Sequence, residues 1–354
     1  MFVAWRDLRA AKGRFALIAV VVTLITILVT FLAGLTGGLA QQNISAITSL
    51  DADRIVFSTD GEAPSYGDSA ITRAQADAWK KQDGVTEVRP LGISAGRVST
   101  ADRRETVAMF GGGPGTGSAP APRPGHVALS TETAEKLGVA AGDAVRIGDR
   151  SFEVSTASAT SWYSHLPVVH LRLEDWQAVA SRPGEPEPYA TVLAVSGADF
   201  ALAAADESAG TTSSGVLASL TALESFTSEV GSLLLMVAML FGISALVVGA
   251  FFTVWSIQRK PDVAILKALG ATNRMLTVDA LGQATVVLVL GISAGISVTA
   301  ALGTVAGAAL PFVLNPLTTV VPGLVMAVLG LAGAGLATHS ITRTDPLNAL
   351  GSNR

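Results

Sequence analysis

The chain has 354 residues, of which 49% are hydrophobic and 15% charged, with a mean hydropathy of +0.49; soluble domains carry about 25% charged residues. Charge is unevenly placed: residues 40–228 hold 23 acidic and 14 basic residues, and the remainder holds 5 and 10. An acidic polar domain is thus set into an apolar, mildly basic framework, which argues against a nucleic-acid-binding surface. The absence of cysteine excludes a disulfide framework, thiolate metal sites and a cysteine nucleophile. The four histidines, at 126, 165, 170 and 339, form no HExxH pattern, which argues against a zinc hydrolase.

In residues 1–13, Phe2, Trp5 and Leu8 can share one helix face while Arg6, Arg9 and Lys12 take the other, which predicts a cytoplasmic interfacial helix. No Asp, Glu, Lys or Arg occurs from Phe15 to Leu50, and the apolar stretch predicts a first membrane span over 14–40. That run is long enough for a hydrocarbon core of roughly 30 Å and too long for a signal-peptide core. The positive charges before it, with none after it until Arg54, place the N-terminus in the cytoplasm. Residues 41–228 then form an extracytoplasmic domain with mixed α/β signals. Val85–Val88, Ile93–Val98, Thr106–Phe110, His126–Ser130, Ala144–Ile147 and Ser151–Val154 read as short strands. Gly148-Asp149 turns a hairpin, and Thr131–Leu137 is a short helix closed by Gly138. The stretch from Gly111 to Pro124 is a Gly/Pro-rich loop without the Lys-Ser/Thr of a phosphate loop.

A second uncharged run gives a span over 229–258 that ends in Gln258-Arg259-Lys260, so residues 259–275 are cytoplasmic. The uncharged stretch Ala280–Thr342 is too long for one helix, and Pro311, Pro316 and Pro322 interrupt it. Spans over 276–309 and 322–342 follow, with a cytoplasmic tail at 343–354. The fold class is therefore an α-helical membrane protein: four transmembrane helices plus an inserted α/β extracytoplasmic domain. The pairs Gly34/Gly38, Gly291/Gly295 and Gly303/Gly307 are GxxxG patterns suited to close helix packing and are candidate dimer faces.

The cytoplasmic segment carries the most information. Pro261 suits the first turn of a helix, Asp262 complements its dipole, and Val263, Leu266 and Leu269 lie at helical spacing. Gly270 stops the helix and Thr272 caps the next. An apolar edge on a short cytoplasmic helix needs a partner. The run Gln258-Arg259-Lys260 followed by Ala264-Ile265-Leu266-Lys267-Ala268-Leu269-Gly270-Ala271-Thr272 resembles the signature of FtsX-like, MacB-type (type VII) ABC permeases. The ending Asp345-Pro346-Leu347-Asn348-Ala349-Leu350 resembles that family's C-terminus. The stretch from Val127 through Leu137-Gly138 and Gly142-Asp143 to Phe152-Glu153-Val154 resembles its extracytoplasmic domain. Lys260-Pro261 departs from the family, which more often has acidic residues there.

The resemblance implies a bacterial plasma-membrane permease, homodimeric on two copies of a separate ABC ATPase. Pro261, Val263, Ile265, Leu266, Leu269 and Gly270 would form the coupling helix that meets the ATPase. The chain lacks a Gly-x-x-x-x-Gly-Lys-Ser/Thr motif, so ATP and Mg belong to the partner and this subunit is no enzyme. It is most similar to the haem-exporting members, which implies haem as substrate rather than as a covalently bound cofactor, membrane lipids as partners and no nucleic acid. The alternative within the family is a regulator that transmits motion to a cell-wall hydrolase. Candidate substrate residues are Glu224 and Glu229 at the outer end of the second span, with Met236 seven residues deeper on the same face. Glu229 or Met236 could ligate haem iron. Trp162, Tyr163, His165 and His170 form a second, aromatic and histidine-containing group. Asp279 is expected to pair with Arg274 or to face a polar gap.

Overall fold

The computed structural model describes residues 12–59, 63–113, 122–155, 160–181, 189–258, 260–307 and 310–342. The tail at 343–354 and all but the last two residues of the expected interfacial helix lie outside them. The chain forms two compact units: Leu39–Gly231, and Met1–Gly38 together with Ser232–Arg354. The first helix, α1 (Lys12–Thr48), continues eight residues past the expected end of the first span. Its last turns stay helical because Ala46 and Ile47 are buried in the core of the inserted unit with Leu50.

The inserted unit is built from β1 (Arg54–Ser58), α2 (Arg73–Trp79), β2 (Val85–Ser99), β3 (Arg104–Gly111), β4 (His126–Val127), α3 (Thr131–Leu137), β5 (Ala144–Ile147), β6 (Arg150–Val154), β7 (Trp162–Tyr163), β8 (Leu166–Leu171), α4 (Leu173–Ala180), β9 (Val192–Gly197), α5 (Leu202–Ala209), β10 (Thr211–Gly215) and α6 (Val216–Ser219). Strands run in the order β10-β1-β9-β2-β3-β8-β7, with β5 joined to β2 and β6 to both β5 and β4. The two strands expected at 85–88 and 93–98 are one. β2 pairs with β9 over Val85–Leu91 and with β3 from Gly92, so it passes through Pro90 and changes partner just after it. The Gly148-Asp149 hairpin and the helix Thr131–Leu137, closed by Gly138 at φ 70°, stand where the sequence puts them.

Alternation along β2 and β3 feeds two cores. On one face Val98, Val107 and Met109 join Leu129, Val145, Ile147, Phe152 and Leu171. On the other, Leu91, Ile93, Ala108 and Phe110 join Ile55, Phe57, Ala46, Ile47, Leu220 and Leu223. At roughly 1.5–3 kcal/mol for each large apolar side chain buried, these clusters are the main cohesive force of the unit.

The second unit contains most of α7 (Glu224–Gln258), then α8 (Lys260–Ala268), α9 (Asn273–Ala306) and α10 (Pro316–Thr342). Among the described residues, four helices, α1, α7, α9 and α10, are long and apolar enough to cross a membrane. α10 begins six residues before the expected 322. Asn315 accepts the Thr318 N–H at 2.8 Å as N-cap, and Pro316 occupies the first helical position, where its missing N–H costs nothing. That proline starts the helix, and Pro322 is carried inside it.

The GxxxG pairs meet residues of the chain itself. A Cβ on Gly291 or Gly295 would sit 2.8 Å from Val22 and 2.6 Å from Thr26 of α1, so these glycines let α9 approach α1. Thr30 and Thr299 hydroxyls bond at 2.7 Å across the same contact. Gly34 and Gly303 face the Phe312 ring, and Gly38 faces the Pro311 carbonyl. These positions are therefore filled by intrachain packing and are not open dimer faces.

Candidate functional site

Two places combine chemistry with position. The first is the turn between β7 and β8. Trp162↔Pro167 and Tyr163↔Leu166 pair, leaving Ser164 and His165 as a two-residue loop. Such loops favour Asn-Gly because both residues take positive φ. Here Ser164 has φ 50° and His165 φ 64°, a conformation that costs roughly 1–2 kcal/mol per residue with a Cβ.

Surrounding groups hold it. The Ser164 and His165 N–H groups donate to the carbonyls of Asn43 and Gln42 of α1, both at 3.0 Å. Ser164 Oγ lies 2.7 Å from Ser225 Oγ of α7, and His165 Nε2 lies 2.7 Å from Glu229 Oε2. Asn43, fully buried, closes a ring: its Nδ2 donates to Glu229 Oε2 at 3.0 Å and its Oδ1 accepts from Ser225 at 2.9 Å. Ser45 Oγ accepts the Trp162 N–H at 2.8 Å. The turn is thus a clasp between the end of α1 and the start of α7. A closed polar ring in a part-buried site holds its members rigidly.

A cleft of about 520 Å³ opens beside the clasp, lined by Tyr66, Asp68, Tyr163, Ser164, Glu224 and Ser225 among others. Burial pushes both phenol groups up, so Tyr66 and Tyr163 stay protonated. The Tyr66 hydroxyl bonds to Ser219 at 2.8 Å.

The clasp brings His165 and Glu229 together; Tyr163 and Glu224 line the cleft next to it. Met236 lies in the other unit, 49% exposed. His170 does not join His165. It lies inside β8 against Phe110, ring centres 6.2 Å apart, and burial pushes its pKa down to about 4. Its Nε2 has no hydrogen-bond partner among the described residues. Sequence reasoning missed Asn43, Ser164 and Ser225. The one available signal was Gln41-Gln42-Asn43, a polar group inside an otherwise apolar helical run.

The second place is the corner between α8 and α9. Gly270, at φ 95°, ends the short helix, and its N–H donates to Lys267 O at 2.9 Å. Thr272 caps α9 by accepting the Met275 N–H at 3.3 Å. Val263 and Leu266 are half-buried, whereas Ile265 is 59% and Leu269 80% exposed. Leu266 lines a cavity of about 430 Å³ with Met275, Leu276 and Asp279. Asp279 accepts from Gln283 at 3.0 Å. The side chain of Pro261 lies outside the described residues.

Residues 234–346 match the family described as FtsX-like permease C-terminal. Over 365 residues, all of both chains, the protein is 24% identical to a hemin transport system permease protein, HrtB, of Staphylococcus epidermidis. It is 24% identical to the same-named protein of Staphylococcus haemolyticus over 369 residues, 99% of each chain. An uncharacterized ABC transporter permease of Mycobacterium tuberculosis is 23% identical over 370 residues, 99% of each chain. Among solved structures, the periplasmic region of MacB from Actinobacillus actinomycetemcomitans matches with a TM-score of 0.35 and 12% identity, covering 51% of this chain and 94% of that one. The extracellular domain of YknZ from Gram-positive bacteria matches with a TM-score of 0.31 and 15% identity, covering 45% and 89%.

Among the described residues, four apolar helices and an inserted α/β unit accompany a C-terminal region that matches the FtsX-like permease C-terminal family. The chain is similar along its whole length to the HrtB permeases.

Proposed function

We propose that the protein is the permease subunit of an ABC-type efflux pump that expels haem or another amphiphilic compound taken sideways from the membrane. Two copies stand on two ATPase subunits. ATP-driven closure of those subunits pushes α8, the helices transmit the movement, and the inserted unit, on the outer side, closes behind the substrate. The observation that carries this reading is the α8–α9 corner: a short helix that ends at Gly270 and leaves Leu269 and Ile265 uncovered. An apolar edge of that kind requires a partner surface. The name of the staphylococcal relatives supports haem as the substrate. Pairing of two copies is supported by α7, of whose apolar window only 11% is buried against 33–39% for the other three spans.

Tyr163, His165, Glu224 and Glu229 of the inserted unit are the proposed haem contacts, with Met236 of α7 as a separate candidate iron ligand. Glu229 is already bonded to Asn43 and His165, so iron ligation by it requires the clasp to open; Met236 carries no such cost. The purified permease titrated with haemin should give a saturable Soret shift that weakens in Met236→Ala and Tyr163→Phe. No saturable shift in the wild type removes haem.

A regulator that passes motion to a cell-wall hydrolase is the second reading. It is favoured by the clasp, in which four hydrogen bonds tie the ends of two long helices to the β7–β8 turn and two more tie the helix ends to each other. A hydrolase co-purifying with the permease, with haem efflux unchanged in a deletion strain, selects it.

A further inference from the structure

The corner between α8 and α9 holds a recess as well as an exposed edge. Ile265 and Leu269 project from it. Leu266, between them in sequence, lines the cavity of about 430 Å³ together with Ala271, Met275, Leu276 and Val278. Backbone bonds inside the corner hold these walls. The Leu269 N–H donates to Ile265 O at 3.0 Å, the Ala271 N–H to Leu266 O at 2.9 Å, and the Leu276 N–H to Thr272 O at 3.1 Å. The recess is therefore formed before any partner arrives, which lowers the cost of filling it.

The walls are mostly apolar, and the surroundings are basic. Arg274 lines the cavity and is exposed. Among the described residues it is in no ion pair. Asp279, which also lines the cavity, accepts from Gln283 at 3.0 Å. In sequence, residues 259–275 carry Arg259, Lys260, Lys267 and Arg274 against Asp262 as the one acidic residue.

Each feature constrains what covers the corner. An apolar recess gains when water leaves it, so the occupant presents an apolar group. The basic surroundings call for carboxylates around that group. A recess beside a projection matches a partner whose surface has a fixed relief of its own, which a fluid bilayer surface lacks. We infer, on the ATPase-driven reading, that the corner is a socket as well as a handle. The ATPase seats a bulky apolar side chain, ringed by carboxylates, in the cavity between Leu266 and Met275, with Arg274 beside it. The seated side chain sets how long the complex lasts, and the charges set how fast it forms.

The test measures binding kinetics between the full-length permease and the ATPase subunit that co-purifies with it. Met275→Trp fills the recess from an exposed position, and Leu266→Trp fills it from α8. Each should raise the dissociation rate about tenfold, the loss expected for one interface anchor. Arg274→Glu should instead slow association severalfold and flatten its decline with salt. Leu269→Asp is the control for the reading itself. If it weakens binding while both Trp variants and Arg274→Glu bind as the wild type does, the socket is overturned and the coupling role of α8 stands. If it too is without effect, both fall. A Met275→Cys variant completes the test, since the chain has no other cysteine. A maleimide should modify it in the isolated permease and be excluded in the complex. Exclusion in the isolated permease would mean that a lipid or another part of the chain already fills the recess, and would overturn the proposal.

Discussion

The two ends of α7 contrast. At its start, the backbone N–H groups of Ser164 and His165, the Ser164 hydroxyl and His165 Nε2 all have partners: two α1 carbonyls, Ser225 and Glu229, with Asn43 buried at the centre. Past its other end, α8 leaves Leu269 80% exposed and half of its apolar edge uncovered. The first joint is internally satisfied and needs nothing from outside, so its strained turn can persist. The second is incomplete alone. On the proposed reading, the incomplete joint is the one that meets the ATPase.

The largest expected effect lies at the incomplete joint. Leu269→Asp should leave folding intact, because the side chain is exposed, yet lower coupled ATP hydrolysis of the permease–ATPase complex at least about tenfold, as for an interface hot spot. Unchanged hydrolysis and assembly would erase the contrast.

At the complete joint, Asn43→Ala leaves Glu229 and Ser225 short of a partner inside a part-buried ring. It should cost about 2–3 kcal/mol of stability of the inserted unit, read from thermal unfolding. A cost well below 1 kcal/mol would mean that water replaces the ring.

The inserted unit also contains an imperfection against which the clasp can be calibrated. His170 is buried, and its pKa is pushed from 6.5 down to about 4 by desolvation. The unfolded chain therefore binds this proton more readily than the folded one. The stability involved is fully present above pH 6.5 and is lost as pH falls from there towards 4. Between pH 7 and pH 5 the wild type should lose about 2 kcal/mol through this residue, and His170→Leu should flatten that part of the profile. Equal slopes in both proteins would contradict the burial argument. The smallest effect expected is Ser45→Ala, which removes the acceptor of the Trp162 N–H and should cost about 1 kcal/mol.

The membrane framework was legible because its cause is local: an uncharged stretch longer than a bilayer leaves little choice. The α8–α9 corner was legible for the same reason, since Gly270 and Thr272 act within their own turns. Local rules misled at Pro316, where a residue that breaks helix interiors also starts helices well, and at Pro90, where one strand spans two pairing partners. β1, β9 and β10 went unassigned because their partners lie far along the chain: Arg54 pairs with Gly215 and Val195. The clasp was invisible as a unit. Glu229 and His165 were each singled out, but their bond joins residues 64 apart, and the Asn43–Glu229 bond joins residues 186 apart. No spacing rule reaches that far.

An intracellular ATPase can drive the protein only if α8 lies on the cytoplasmic side. The chain has no cysteine, so a single Leu269→Cys substitution gives an unambiguous label site. In intact cells a membrane-impermeant maleimide should leave that cysteine unmodified and should modify it once the membrane is permeabilised, while a cysteine at Asp149 of the inserted unit reacts in both. Labelling at position 269 in intact cells would place α8 outside the membrane and contradict the account.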